Sequence, residues 1–447
     1  MAAMKKKIPI VEIISKEMIK PSLPTPSHLR AHQISSLDQL ADLSYIRVVF
    51  FYNRPFAAGE DAVSGETNNV IQVLKSTLSE TLTHYYPLAG KFVEEDALID
   101  CDDSGAEFTT AVIVGGEDGE FLDAMENPDM GFLDKLVSKE HNLTKTEDVI
   151  LAVQITRFPA GEVTVGVCIS HKISDAATLS SFLKLWSAAA KILISGESSF
   201  KELIPLGPVF DAPRIWPSVP GLTRPSFNFN EEKIVVKKFV FNTSSLTRLK
   251  SELSGGVIGE RVPTRVTSMM ALIWHTIMNS SSGPPTPTKH VLALPSNIRK
   301  KMSPPLPENT LGNIIKLVVV ANYVDGIALQ AVMDLINDAI GKEEKPIKEG
   351  ESIHEPLSRV FTSLDVMNGF ILNVTPITSW CWLPFYEVEF GLGKPIWMTC
   401  LRRRDILLLD GSDGGIEALI GLNVETMEKF EKNLTLLSFC EHYVPYG

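Results

Sequence analysis

A histidine and an aspartate lie four positions apart in the segment from Cys168 to Asp175. Histidine suits general-base catalysis because its ordinary pKa of about 6.5 leaves the ring largely neutral near pH 7. A neutral imidazole can take the proton of a hydroxyl group as the oxygen attacks an electrophile, which contributes roughly 100- to 10,000-fold in rate. His171 is therefore the first candidate catalytic residue, and Asp175 can fix either the turn or the ring.

Two other interpretations of His171 stay open at this point. The chain has nine histidines and 54 acidic residues, so this spacing also arises by chance and fits a structural histidine. Cys168, His171 and Asp175 all carry atoms that bind metals, but a fourth ligand at a suitable spacing is missing. We therefore expect no metal site.

The surrounding pattern predicts the elements that must position His171. Residues 149–158 and 162–170 read as an antiparallel strand pair joined near Gly161. Residues 177–192 show the apolar spacing of an amphipathic helix. A histidine that leaves a buried strand just before a helix is held firmly, while its ring is free to face a cleft.

Both halves of the chain alternate strands and helices, which indicates an α/β fold. Residues 312–324 are apolar enough for a central strand. Residues 371–380 also read as a strand, but Pro376 inside it favours an edge position or a break. A single helix is predicted for residues 425–439.

A length of 447 residues favours two domains. Residues 197–230 form the best linker candidate, because they hold six prolines and show no sustained periodicity. The predicted division is a first domain over 1–196, a crossover linker over 197–230 and a second domain over 231–447.

Composition narrows the class of partner. The net charge of −12 disfavours a nucleic-acid partner, which needs a basic face. No run approaches the ~18 apolar residues of a membrane span. Five scattered cysteines favour a reducing compartment over a disulfide framework, so we expect a cytoplasmic protein. Short basic clusters such as 299–301 suit either a solvated surface or a small anionic ligand.

Six segments resemble motifs of the plant BAHD acyltransferases. They occur in the same order as in that family and together span nearly the whole chain. The core segment is Ile169 to Thr178, which contains His171 and Asp175. The others are Lys20 to Pro26, Leu37 to Gln39, Tyr85 to Lys91, Asn297 to Arg299 with Leu311 to Asn313, and Thr378 to Trp380 with Tyr386 to Pro395.

The resemblance implies two similar chloramphenicol-acetyltransferase-like domains, joined by a long crossover loop, with a solvent channel between them. Part of 355–400 is expected to pack with the first domain. His171 would lie in the channel as the general base, with acyl-CoA entering from one side and the acceptor from the other. Asp175 would pair with Arg299 and support the turn rather than accept a proton.

Further roles carry over residue by residue. Trp380 matches a position that lines the reaction centre and can donate its indole N–H to the developing oxyanion, although a core tryptophan fits too. Thr264 and Arg265 lie where family members contact coenzyme A, and Arg265 is equally consistent with a surface arginine at a helix start.

The chain departs from the family in one motif. The family signature is Asp-Phe-Gly-Trp-Gly, whereas this chain has Glu389, Phe390, Gly391, Leu392 and Gly393. Both glycines remain, so the tight backbone can form. We expect this motif to support the fold, with local repacking that costs on the order of 1–3 kcal/mol where the indole is lost.

The resemblance predicts an acyl-CoA-dependent acyltransferase that acetylates a hydroxyl of a plant specialised metabolite, an alkaloid or a terpenoid. Acetyl-CoA would be a co-substrate, with no permanently bound cofactor, and the protein would act as a monomer. The alternatives are an N-acyltransferase, another atypical acyltransferase, or a binding protein of the same fold that has lost turnover.

Overall fold

The computed structural model describes most of the chain, namely residues 9–53, 60–114, 119–140, 148–196, 203, 205–222, 233–254, 262–280, 288–322, 326–351, 353, 371–402, 405–411 and 413–446. Of the predicted linker, residues 197–202, 204 and 223–230 lie outside the described residues. So does 354–370, which overlaps the predicted segment 355–400.

The strands are β1 Ile10–Ile19, β2 Ala31–Gln33, β3 Tyr45–Tyr52, β4 Lys91–Val93, β5 Leu98–Asp100, β6 Ala106–Val114, β7 Leu151–Arg157, β8 Val163–Ser170, β9 Ile234–Phe241, β10 Thr288–Asn297, β11 Met302–Ser303, β12 Ile315–Asn322, β13 Ile347–Lys348, β14 Ile371–Ser379, β15 Trp397–Cys400, β16 Ile406–Asp410, β17 Ile416–Asn423 and β18 His442–Pro445. The helices are α1 Ser36–Gln39, α2 Glu60–His84, α3 Glu120–Glu126, α4 Met130–Leu133, α5 Ala176–Ser195, α6 Ala212–Ile215, α7 Thr243–Leu253, α8 Arg265–Ser280, α9 Leu329–Lys342, α10 Val424–Phe430 and α11 Leu434–Phe439.

The chain divides into two compact units that are not contiguous in sequence. Unit 1 comprises Met1–Ser226, Pro307–Ile314 and Leu383–Leu401, and unit 2 comprises Phe227–Leu306, Ile315–Trp382 and Arg402–Gly447. Two short segments from the second half of the sequence therefore belong to unit 1. The domain boundary placed in 197–230 stays a prediction.

Unit 1 contains a six-stranded sheet in the order β1-β6-β7-β8-β3-β15. The predicted pair β7–β8 is confirmed as antiparallel, with Leu151 opposite Ile169. Strand β3 pairs with β8 on the other side, so that Tyr45 lies opposite Ser170. Every residue of β3 and β8 is buried, and the histidine after β8 therefore follows a rigid strand.

Helix α5 confirms the predicted helix after His171. The Asp175 carboxylate accepts a hydrogen bond from Thr178 N at the start of α5, and Gly196 ends it at φ +65°. Its apolar face buries Leu179, Phe182 and Trp186. Among the described helices, α5 is the one that is long and apolar enough to cross a membrane, and 56% of that stretch is buried inside the protein. We interpret α5 as a core helix of unit 1.

Unit 2 contains a seven-stranded sheet in the order β12-β10-β14-β16-β17-β9-β18. Helix α8 supplies much of its core, including the fully buried Trp274. The prediction of a central strand over 312–324 is wrong, because β12 lies at an edge of this sheet. Strand β14 is internal rather than at an edge. Its pairing changes from β10 to β16 just after Pro376, so the predicted break is a change of partner.

The single helix predicted over 425–439 is also wrong. Helix α10 ends at Phe430, and Asn433 begins α11 by accepting a hydrogen bond from Leu436 N at 3.0 Å. An asparagine side chain that caps a new helix competes with continuation of the old one. After α11 the chain forms strand β18, which pairs with β9. The sequence pattern does not predict β18.

Candidate active site

His171 lies directly after β8, where its backbone is fixed and its side chain is half-buried. Its N–H donates to Ser44 O at 2.8 Å, which continues the β3–β8 pairing by one residue. The backbone of His171 is therefore held at the end of a buried strand, and this fixes the position from which the ring extends.

The imidazole contacts the side chain of Asn313, a residue 142 positions later in the sequence. His171 Nδ1 lies 2.9 Å from Asn313 Oδ1, and Asn313 Nδ2 donates to the backbone oxygen of His171 at 2.7 Å. Asn313 is 1% exposed. One buried amide thus contacts both the ring and the main chain of the same histidine.

The Asn313 amide is held in turn by Asp38, whose carboxylate is 3% exposed. Asp38 Oδ1 accepts from Asn313 Nδ2 at 2.8 Å and from Asn313 N at 2.7 Å. Asp38 Oδ2 accepts from Ser35 N at 3.0 Å and Ser35 Oγ at 2.6 Å. Burial raises the pKa of Asp38, while the hydrogen bonds from Ser35 and Asn313 oppose that rise.

These contacts fix which nitrogen of His171 carries the proton. Asn313 Nδ2 faces a carboxylate oxygen and a carbonyl oxygen, which only accept, so this end of the amide must be the NH₂ group. Asn313 Oδ1 therefore faces the ring and accepts from Nδ1–H. In the neutral ring Nε2 then holds the lone pair, which is the state that a general base requires.

Asp175 connects the same segment to helix α5. Its Oδ1 accepts from Thr178 N at 2.8 Å, and its Oδ2 accepts from Ile314 N at 3.1 Å. Thr178 Oγ1 also donates to Gly312 O at 3.0 Å. These hydrogen bonds join the start of α5 to the segment that contains Asn313, and the supporting role of Asp175 stays a prediction.

Gly312 allows this segment to approach closely. Its φ is +123°, a region that favours glycine, and a Cβ there would lie 3.4 Å from both Asp38 carboxylate oxygens. Any other residue would strain the backbone here, and its Cβ would be in van der Waals contact with the carboxylate that holds Asn313.

Arg299 and Trp380, two further predicted site residues, lie in unit 2. Arg299 is 1% exposed, and its Nη1 donates to Asn297 Oδ1 at 3.2 Å. Its pairing with Asp175 stays a prediction. Trp380 is buried, and its backbone N–H donates to Leu408 O at 2.9 Å. The role of its indole toward an oxyanion also stays a prediction.

Thr264 and Arg265 form the start of helix α8. Thr264 Oγ1 accepts from Thr267 N at 3.1 Å. The Arg265 guanidinium forms an ion pair with Asp410, donates to Gly414 O at 2.9 Å and stacks 4.2 Å from the ring centre of Trp382. A phosphate that binds Arg265 would have to share a guanidinium that is already engaged, and the coenzyme A contact stays a prediction.

The altered motif packs on the last turns of α5 in unit 1. Glu389 forms an ion pair with Lys191 at 2.7 Å. Phe390 is fully buried, with φ +50°, and meets Trp186 edge-to-face at 4.5 Å between ring centres. Leu392, which replaces the family tryptophan, is 8% exposed. The motif thus packs against α5, and its structural role stays a prediction.

Cys168, one of the groups weighed as a metal ligand, is buried in β8. Burial raises the pKa of its thiol to about 12, so it stays protonated at neutral pH and is a poor ligand or nucleophile. Within the described residues, no group of three or more His, Cys, Asp and Glu side chains is arranged to hold a metal ion.

Sequence reasoning missed Asn313 and Asp38 as functional residues. Both lie in segments that carry the family resemblance, 311–313 and 37–39, but the resemblance assigns no role to either position. A single asparagine and a single aspartate lack a periodic signal, and their function emerges when the fold brings the two segments to the same histidine.

Comparisons with known proteins give a consistent result. A family model described as the Transferase family matches residues 10–437. The chain is 34% identical over 443 residues to epi-neemfruitin B synthase L1AT of Melia azedarach, covering 96% of this chain and 98% of that protein. It is 30% identical over 479 residues to salutaridinol 7-O-acetyltransferase of Papaver somniferum, covering 95% and 97%. The crystal structure of vinorine synthase matches with a TM-score of 0.77 and 28% identity, covering 96% and 98%.

Proposed function

The chain belongs to the BAHD family of acyl-CoA-dependent acyltransferases, and we propose on this premise that it transfers an acetyl group from acetyl-CoA to a hydroxyl of a plant specialised metabolite. The predictions of family, of enzyme class and of a two-domain chloramphenicol-acetyltransferase-like α/β fold are confirmed. The acceptor class is proposed from relatives named as a synthase of epi-neemfruitin B and a salutaridinol acetyltransferase.

The observation that carries the mechanism is the 2.9 Å contact between His171 Nδ1 and Asn313 Oδ1. It leaves Nε2 with the lone pair on a half-buried ring. In the proposed reaction, Nε2 takes the proton of the acceptor hydroxyl as its oxygen forms a bond to the thioester carbon. Nδ1–H stays hydrogen-bonded to Asn313 Oδ1. Because an oxygen acceptor at Nδ1 stabilises positive charge on the ring, this hydrogen bond favours the imidazolium that forms.

The remaining steps balance without another co-reactant. The thioester oxygen becomes negative in the tetrahedral intermediate, and removing one donor to such an oxygen typically costs ~100- to 1000-fold in rate. We assign that donation to Trp380 from its family position. As the intermediate collapses, the carbon–sulfur bond breaks, the thiolate takes the proton from Nε2, and the products are an ester and free coenzyme A.

The cellular setting is proposed on simpler grounds. Cys101, Cys168, Cys381 and Cys400 are free and buried, and Cys440 is free, which favours a reducing compartment. We propose a cytoplasmic monomer that acts on small molecules, with neither nucleic acid nor membrane as a partner. Light scattering of the purified chain tests the monomer, and a dimer would contradict it.

The experiment is an acyl-transfer assay with product identification. The purified chain is incubated with acetyl-CoA or malonyl-CoA and a panel of alkaloid and terpenoid alcohols and amines. We expect release of coenzyme A together with an O-acetylated product. A product acylated on nitrogen would correct the acceptor type, since the same base serves amines. No acylated product across the panel, with acetyl-CoA shown to bind, would favour a binding protein.

A further inference from the structure

We propose that Asp38 is a positioning residue for the acyl transfer, acting on His171 through the amide of Asn313. Its carboxylate would hold that amide in the orientation that keeps the histidine proton on Nδ1. The inference rests on the proposed function, in which Nε2 of His171 is the base.

The first argument is geometric. Asp38 Oδ1 accepts two hydrogen bonds from Asn313, at 2.7 Å from the backbone N–H and at 2.8 Å from Nδ2. One oxygen thus fixes both the position of the residue and the rotation of its side chain. The opposite end of the same amide contacts the His171 ring at 2.9 Å, so a rotated amide would present NH₂ to Nδ1 and move the ring proton to Nε2.

The second argument is energetic. Among the described residues, Asp38 has no ion-pair partner within 4.0 Å, and four hydrogen bonds from Ser35 and Asn313 stabilise its buried carboxylate. A buried charge without a cationic partner is costly. Asp38 also completes the capping box of helix α1, because its Oδ2 accepts from Ser35 N while the Ser35 hydroxyl accepts from Asp38 N. That role uses Oδ2 and does not account for the two hydrogen bonds that Oδ1 accepts from Asn313. The arrangement is explained if the charge acts on the amide that contacts the histidine.

The third argument is electrostatic. When Nε2 takes a proton the ring becomes a cation, and a carboxylate on the far side of a polarised amide favours that state. Lys172 is the nearby cation attracted by Asp38 and by Glu94, and its amine donates to Gln39 O at 3.0 Å. The Asp38 carboxylate therefore also attracts the Lys172 amine, with which it forms no ion pair among the described residues.

The test compares Asp38→Asn with Ser35→Ala. Asp38→Asn keeps the size of the side chain but removes its charge, and it forces an NH₂ group toward the N–H donors of either Asn313 or Ser35. Ser35→Ala removes the hydroxyl on the other carboxylate oxygen and leaves the Asn313 contacts intact. It therefore controls for general destabilisation of α1.

The primary readout is the tautomer of His171, measured by nitrogen NMR on protein labelled at histidine and assigned by the signal that His171→Gln loses. We expect the Nδ1–H tautomer in the wild type and in Ser35→Ala, and a mixture in Asp38→Asn. We also expect kcat to fall roughly 10- to 100-fold in Asp38→Asn, because the variant loses part of the general-base contribution. KM should stay within about threefold of the wild-type value.

An unchanged tautomer in Asp38→Asn would overturn the proposal, whatever happens to kcat, because a purely structural role does not move the ring proton. If Asp38→Asn fails to fold, Asn313→Ala provides the same readout, and retention of the Nδ1–H tautomer there would also overturn it. Full turnover in His171→Gln would instead contradict the proposed function, so the two failures are distinguishable.

Discussion

At the scale of single residues, Asn313 determines what His171 can do. The amide presents its oxygen to Nδ1 and its nitrogen to the Asp38 carboxylate and the His171 carbonyl. An aspartate at position 313 would accept from the ring as well as an asparagine does. It would however face Asp38 with a second negative charge, and no side-chain donor would lie between the two carboxylates. The neighbouring carboxylate thus explains why an amide contacts the histidine here.

Asn313→Asp is therefore expected to be harmful. Two buried carboxylates within hydrogen-bond distance repel, and the mutant should lose roughly 1–3 kcal/mol in the free energy of unfolding. Asn313→Ala removes the contacts without adding charge, and it should be the more stable of the two at pH 8. Denaturant unfolding of both variants measures this, and an Asn313→Asp protein as stable as the wild type would contradict the orientation of the amide.

His32 predicts an acid-sensitive component of stability. Its ring is buried against Phe210 and Tyr86, and burial lowers its pKa to about 4 from 6.5. Between pH 6.5 and 4 the unfolded chain binds a proton at this position that the folded chain excludes, so stability falls as the pH falls. The full difference corresponds to about 3 kcal/mol.

Unfolding at pH 7.5 and at pH 4.5 tests this component. His32→Phe should lose less stability than the wild type between the two pH values, whereas His28→Phe, at an exposed histidine, should lose the same amount as the wild type. Equal losses in His32→Phe and His28→Phe would show that His32 is not the source.

At the scale of elements, helix α5 links the candidate site to the altered motif. Its first turn is capped by Asp175 next to His171, and its last turns carry Lys191 and Ile194 against the motif at 389–393. Gly391 has φ +75°, and a Cβ there would lie 2.2 Å from Ile194 Cδ1. Gly393 has φ +78° and open space around a Cβ. A substitution at Gly393 therefore introduces backbone strain alone, whereas one at Gly391 introduces backbone strain and a steric contact.

Gly393→Ala should cost about 1–2 kcal/mol in unfolding free energy from backbone strain alone. Gly391→Ala should cost more, by up to roughly 1.5 kcal/mol, because the end of Ile194 must leave its rotamer. Thermal unfolding of both variants measures the difference. Adding Ile194→Ala to Gly391→Ala should remove it, and a difference that persists would show that the motif does not pack on α5 as described.

The elements also show where sequence reasoning succeeds. The sequence predicts helix α5 closely, because its apolar spacing arises from one buried face. It predicts the β7–β8 pair closely, because two strand-like runs flank a turn near Gly161. Strand β12 was placed at the centre of a sheet on account of its apolar residues. At the edge position it takes, its first three residues are half-buried, and from Leu317 to Asn322 half-buried and buried residues alternate. Apolar content alone does not distinguish a central strand, covered on both faces, from a strand at the edge of the sheet.

At the scale of the whole molecule, the site depends on segments that the sequence separates widely. Residues 307–314 bring Asn313 into unit 1, although the sequence division assigns them to the second domain. His171 and Asp175 were predicted from a local pattern. Asn313 and Asp38 contact His171 or its partner only through the fold, which no local pattern encodes.

The predicted pair of Asp175 and Arg299 also belongs to this scale, since the two residues lie in different units. A double-mutant cycle with Asp175→Ala and Arg299→Ala tests it through the free energy of unfolding. We expect both single variants to be destabilised and a coupling of about 1–3 kcal/mol. Additive effects would contradict the predicted pair.

The central claim is that Nε2 of His171 takes the proton of the acceptor, and the turnover of His171→Gln tests it most directly. With acetyl-CoA and an acceptor that the wild type acylates, kcat/KM should fall roughly 100- to 10,000-fold. The matched His28→Gln variant, at an exposed histidine of the same unit, should keep the wild-type value. A folded His171→Gln protein with kcat/KM within about threefold of the wild type would contradict the account.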